Sequence, residues 1–202
     1  MKNNKGLIFF IPSIEDGGVE KNLYIILNYL SKKINKVSLI TYDDKYKNKF
    51  DKKIKIVNPI FNHFSFSNRY PKYLLCLITL FKILLFNKNC IILTFQANIF
   101  VIILSKIFNI VVLSRSNSSP SGWSKEYLKQ KIFSYFFKKA DKIIVNSTKF
   151  KDEMDLRYKI NTLCILNPFE FSKIKKFSLL TSKKVFTKNV LKIISVGRLV
   201  YQ

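Results

Sequence analysis

Metal and disulfide chemistry find little to work with in this sequence. It has one histidine, His63, and three cysteines, Cys76, Cys90 and Cys164, too widely spaced for a metal-ligand pattern or a disulfide framework. The cysteines read as buried thiols of a reducing compartment, which predicts a cytoplasmic protein. Glycine is scarce as well. The five glycines build neither G-x-G-x-x-G nor G-x-x-x-x-G-K-[ST], which argues against a bound dinucleotide and against a P-loop NTPase. Long uninterrupted apolar runs are missing. Residues 73–86 are broken by Lys82 and residues 99–113 by Lys106 and Asn109, whereas a spanning helix needs about 20 residues with few or no charges. The apolar stretch behind Met1–Gly6 is only a handful of residues before Pro12, too short for a secretory signal. Acidic residues are few: 12 against 36 Lys and Arg, for a formal net charge of +24. Such a balance invites an anionic membrane surface or nucleic acid. The lysines come as scattered pairs such as Lys32-Lys33 and Lys138-Lys139, and no zinc-finger, RNP or basic-zipper pattern accompanies them. Nucleic acid is therefore the weakest candidate partner. The joint richness in Lys, Asn, Ile, Phe and Tyr also fits an AT-rich coding bias without selection on charge.

What the sequence does have is a core. Its 202 residues are 48% hydrophobic and 24% charged, the balance of a globular domain. The organising stretch is residues 7–30. An apolar run from Leu7 to Ile11 suits a buried strand, Gly17-Gly18 follows, and Leu23, Ile26, Leu27 and Leu30 then recur at helical spacing. Glycine at a helix mouth lets an anion approach the unpaired N–H groups and the positive end of the helix dipole. Further strands are expected at 37–41, 54–57, 91–95, 110–113, 142–145 and 163–166. Helices are expected from about Tyr70, over Ala97–Lys106, from about Trp123 to Lys139, and after Asn146-Ser147-Thr148; residues 114–122 read as a loop. Continuous apolar strands alternating with helices predict a doubly wound parallel α/β sheet, Rossmann-like, over residues 1–168. Such sheets bind ligands at the carboxyl ends of their strands. Gly17, Gly18, Gln96, Asn98, Arg115, Asn117, Asn146, Ser147 and Asn167 collect there and define an expected polar site. The stretch 169–189 is lysine- and serine-rich and reads as a linker. One more apolar run, 190–196, reads as the first strand of a second, truncated domain spanning 190–202.

In this order and spacing, four segments resemble family 4 of the GT-B glycosyltransferases. They are Gly17-Gly18-Val19-Glu20 after the first strand, Ala140-Asp141-Lys142-Ile143-Ile144-Val145-Asn146-Ser147, Leu166-Asn167-Pro168, and Ile194-Ser195-Val196-Gly197-Arg198-Leu199. The resemblance implies the N-terminal half of a GT-B enzyme. It also implies transfer of a sugar from a nucleotide-diphosphate donor to a glycan or lipid-linked acceptor, with retention at the anomeric carbon, in surface polysaccharide biosynthesis. Neither a cofactor nor an obligatory metal is implied. Gly17, Gly18 and Arg198 would meet the donor diphosphate, Arg198 through bidentate hydrogen bonds to its oxygens. Gln96, Asn98, Arg115, Asn117, Asn146, Ser147 and Asn167 would lie on the acceptor side. Many members have a histidine after the fourth strand, where this chain has Thr94-Phe95-Gln96-Ala97-Asn98. Without its second domain the chain would be inactive alone. Peripheral contact with an anionic inner membrane leaflet is expected through the helix from Trp123, where Trp123, Tyr127, Leu128 and Ile132 alternate with lysines. The alternative is a non-catalytic Rossmann-like module that holds a membrane or nucleic acid through its basic face.

Overall fold

The computed structural model describes residues 5–15, 17–66, 68–117, 127–180 and 193. By its internal contacts the chain divides into two compact units, residues 1–169 and 170–202. The first unit runs β1 (Gly6–Phe10), α1 (Gly18–Leu30), β2 (Val37–Ile40), a 3-10 turn (Lys47–Lys49), β3 (Lys55–Val57) and α2 (Arg69–Phe86). It continues through β4 (Cys90–Thr94), α3 (Asn98–Ile107), β5 (Val111–Ser116), α4 (Tyr127–Phe137), β6 (Lys142–Val145), α5 (Thr148–Tyr158) and β7 (Thr162–Cys164). In the second unit the described helix is α6 (Phe171–Ser178), within the stretch read as a linker; Phe171, Ile174 and Phe177 recur there at helical spacing.

All strand pairs are parallel, in the order β3-β2-β1-β4-β5-β6-β7. The sheet winds outward in both directions from β1 and β4, whose pairing sets Phe10 opposite Thr94. Loops leaving these two strands diverge to opposite faces, so a crevice opens at their carboxyl ends. The continuous apolar runs arise because helices cover both faces. Phe9, Leu39 and Leu93 pack with Leu23 and Leu27 of α1 on one face. Ile8, Phe10, Ile40 and Ile92 pack with Cys76, Leu80 and Leu84 of α2 and with Val101 and Ile102 of α3 on the other. A third cluster joins Phe137 of α4 to Ile143 and Val145 of β6 and Met154 and Tyr158 of α5.

One boundary differs in a way that matters for the site. Ser114, Arg115 and Ser116 had the composition of a loop, yet they extend β5 and pair with Ile143, Ile144 and Val145 of β6. Tertiary pairing here overrides local polarity, and all three residues are buried. The last strand is also shorter than expected, ending at Cys164 rather than Leu166. The expected strand 190–196 lies, apart from Ile193, outside the described residues, as do Trp123 and Arg198.

Candidate functional site

The carboxyl edge of the sheet carries a connected polar layer. Ile11 continues the ladder beyond β1 through its N–H to the Ile40 carbonyl, at 3.1 Å. Two residues on, Ser13 is buried, so its peptide groups need protein partners. Gln96, in the β4–α3 loop, supplies both. Its Oε1 accepts from the Ser13 N–H at 3.0 Å and its Nε2 donates to the Ser13 carbonyl at 2.8 Å. This amide clamp ties the two loops of the switch point together. Asn98 extends the connection to β5: its Nδ2 donates to the Arg115 carbonyl at 3.0 Å. The Thr94 hydroxyl donates to the Gln96 carbonyl at 2.7 Å and lies 3.1 Å from Asn98 Oδ1. Between Gln96 and Asn98, Ala97 takes a left-handed backbone with φ of 53° at the mouth of α3. That conformation is uncommon for a residue with a Cβ and is concentrated at functional turns.

Arg115 is the most unusual residue of this layer. It is 2% exposed, and no carboxylate pairs with it among the described residues. Its Nη2 donates to Asn167 Oδ1 at 2.8 Å and reaches the Ile165 carbonyl at 3.5 Å, while the guanidinium sits 5.9 Å from the Phe95 ring centroid. Nε has no partner. Burial pulls the Arg115 guanidinium below its ordinary pKa, the mark of a cation that the surroundings do not fully compensate. Asn146 Oδ1, at the exit of β6, is a second buried polar atom without a partner. Ser147 follows it as the N-cap of α5 but does not use its hydroxyl on the helix. Asn117 lies half-buried just beyond β5. Gln96, Asn98, Arg115 and Asn167 thus form one hydrogen-bonded chain across β4, β5 and β7. Asn117, Asn146 and Ser147 share that edge without joining the chain.

At the mouth of α1 the two glycines differ. Gly17 is the N-cap, and the Glu20 carboxylate accepts its N–H at 3.1 Å, satisfying one helix-end donor. Neither described glycine of this pair needs a left-handed backbone. Gly18, the first helical residue, is exposed, and a Cβ built there would meet nothing within 4 Å. The open face of the mouth is therefore at Gly18, where a ligand can reach the backbone.

A cleft of about 400 Å³ adjoins this mouth, lined by Ser13, Ile14, Glu15, Asp43, Lys45, Phe66, Asn68, Arg69 and Lys72. Its frame is a half-buried ion pair, Lys72 Nζ to Asp43 Oδ1 at 2.8 Å; the other Asp43 oxygen accepts from the Ile14 N–H at 2.8 Å. Three basic and two acidic side chains line it, and the Arg69 guanidinium is held by the Tyr73 side chain. Asp43, Arg69 and Lys72 were not singled out by the sequence reading. The available signal was the place of Asp43 at the carboxyl end of β2, an edge the fold class marks for ligands. Asp141, by contrast, is structural. Burial would raise its pKa, but the Val112 N–H at 2.8 Å and Lys106 at 2.9 Å outweigh that and hold it below the usual carboxylate range. Among the described residues no group of three or more His, Cys, Asp or Glu converges as a metal site.

This arrangement defines a class of fold: a Rossmann-like, all-parallel α/β sheet with a polar crevice at its switch point. Solved structures similar to it include glycosyltransferases. HepE from Anabaena, in complex with UDP and glucose, matches with a TM-score of 0.59 and 15% identity over 83% of this chain and 46% of its own. A glycosyltransferase from Rickettsia africae matches with a TM-score of 0.57 and 18% identity, over 88% of this chain and 51% of its own. UGT73P12 from Glycyrrhiza uralensis, complexed with glycyrrhetinic acid 3-O-monoglucuronide, gives 0.57 and 10%, over 80% and 48%. This chain thus spans about half the length of these structures. At such identities the likeness is one of fold, the GT-B-like sheet. No family model and no curated protein matches the sequence.

Proposed function

We propose that this chain is the N-terminal, acceptor-side half of a nucleotide-sugar-dependent glycosyltransferase of the retaining family 4 type. The observation that carries the reading is the switch-point edge. There an open helix mouth at Gly18 adjoins a polar cleft and a connected layer from Ser13 through Gln96 and Asn98 to Arg115. HepE, which shares the fold, is known in complex with UDP and UDP-glucose. In the reaction the bond from the anomeric carbon to the diphosphate breaks, an acceptor hydroxyl oxygen bonds that carbon, and the hydroxyl proton leaves with the diphosphate. The α1 mouth would face the diphosphate, where backbone N–H groups and the helix dipole oppose growing negative charge. Gly17 and Gly18 line that mouth, with Arg198 as the expected clamp. Gln96, Asn98, Arg115, Asn117, Asn146, Ser147 and Asn167 would frame the acceptor, and the Asp43–Lys72 cleft is the adjoining space for it. A glycan or lipid-linked acceptor of surface polysaccharide synthesis, in the cytoplasm, fits this reading.

The test is made in the organism that encodes the chain. A chromosomal Gly18→Val substitution should remove one sugar from a glycan or lipid-linked saccharide, read by mass spectrometry. An unchanged glycan and glycolipid profile would overturn the proposal.

A further inference from the structure

Within the polar layer, several side chains are already spent on the protein itself. Gln96 gives both ends of its amide to Ser13, and Asn98 gives its ends to the Arg115 carbonyl and the Thr94 hydroxyl. Arg115 differs, because no charge of opposite sign meets its own. Arginine is almost never so fully buried unless it is paired. Of the 12 acidic residues, all but Asp16 and Glu126 are described, and none of the described ones bonds Arg115. Its Nε is buried without a partner, and Nη2 meets only neutral oxygens, Asn167 Oδ1 and the Ile165 carbonyl.

The sheet register shows where this charge sits. Leu113 and Ile144 pack on the α1 face, so Arg115 and Asn146, two residues further along paired strands, share that face. The guanidinium then reaches over the end of β6 to Ile165, whose N–H is bonded to the Val145 carbonyl. Donors predominate there. Arginine has no acceptor, so Asn167 turns its Oδ1 inward and keeps its Nδ2 for another partner. Ser147 opens α5 with its hydroxyl unused on the helix, and no acid lies in the first turn. Asn146 Oδ1 adds a buried acceptor without a partner. The cover is thin: Ile165 is 44% exposed and Asn167 half-buried.

A carboxylate or phosphate supplies what this end of the sheet lacks, a negative charge and several acceptor oxygens. It would replace the neutral Asn167 oxygen on Nη2 with a charge-assisted bond and engage Nε as well. Asn146 Oδ1 suits a hydroxyl of the same molecule. We propose that Arg115, Asn167 and Asn146 recognise an acidic saccharide, its carboxylate or phosphate on the first two and a hydroxyl on the third. The proposal rests on reading this edge as the acceptor side, and it makes the acceptor a uronic acid or a sugar phosphate.

The test is titration calorimetry of the 202-residue chain with glucuronic acid, glucose 6-phosphate and glucose at fixed ionic strength. One acid should bind and glucose should not; which acid binds tells carboxylate from phosphate. Arg115→Met should weaken that binding roughly tenfold or more, and Arg115→Lys should restore only part of it. Lys32→Met removes an equal charge from the exposed surface and should bind as wild type does. Asn167→Asp places a carboxylate of the chain's own beside the guanidinium and should abolish binding while the fold stands, checked by circular dichroism. Acids that bind no better than glucose, or full binding by Arg115→Met or Asn167→Asp, would overturn the proposal. So would Asp16→Asn or Glu126→Gln, if either costs stability only while Arg115 is present, since that acid would then be the counter-ion. Failure of acid binding alongside a glycan change in Gly18→Val rejects this proposal and leaves sugar transfer standing. Acid binding through Arg115 alongside an unchanged glycan profile upholds the pocket and rejects transfer.

Discussion

At the scale of single residues, Arg115 and Asp141 are opposite uses of buried charge. Arg115 is desolvated and lacks a carboxylate, an arrangement that costs stability unless something outside the described residues compensates it. Methionine has a similar length and no charge, and the freed acceptors belong to exposed Ile165 and half-buried Asn167, residues that water can reach. Arg115→Met should therefore raise the unfolding free energy by about 1 kcal/mol or more. Denaturant titration reads this directly; a loss of stability would mean that the residue is there for folding. Asp141 behaves in the reverse sense, because its partners favour the ionised form. Its folded-state pKa lies below the unfolded value of about 3.9, so its contribution is complete above that pH and is lost as pH falls through the folded pKa. The stability gap between wild type and Asp141→Asn should be constant at neutral pH and close in acid. A gap independent of pH down to full acid unfolding would contradict this role.

At the scale of elements, the clamp between the β1 and β4 loops and the mouth of α1 make separable predictions. Gln96→Leu removes both partners of the buried Ser13 peptide groups and should cost about 1–3 kcal/mol. Gly18→Ala should do the opposite, adding about 0.4–1 kcal/mol because its Cβ has room and alanine narrows the unfolded ensemble. If Gly18 is kept for close approach of a diphosphate, the same alanine should slow transfer while stabilising the fold. This scale also shows what the sequence could reveal. The apolar runs and helical repeats predicted the sheet, because period and burial are local properties. Ser114-Arg115-Ser116 misled, since nothing local distinguishes a buried polar strand end from a loop; only pairing with β6 does so. The Asp43–Lys72 pair was equally hidden, its members 29 residues apart and joined only by the path of the chain. Gln96, Asn98 and Asn167 were legible by their places after strands, but the contacts linking them through Arg115 were not.

At the scale of the molecule, the polar network at the sheet's carboxyl edge carries two proposals, sugar transfer and recognition of an acidic group. The second can fail without the first. The central claim is transfer. It is tested most directly by measuring nucleoside diphosphate release from a panel of nucleotide sugars by the native gene product, with and without a lipid and glycan extract of its own cells. The account predicts release that depends on the extract and falls at least about 100-fold in Gly18→Val at unchanged thermal stability. Release that ignores both the extract and the substitution, or none with any nucleotide sugar, would contradict it.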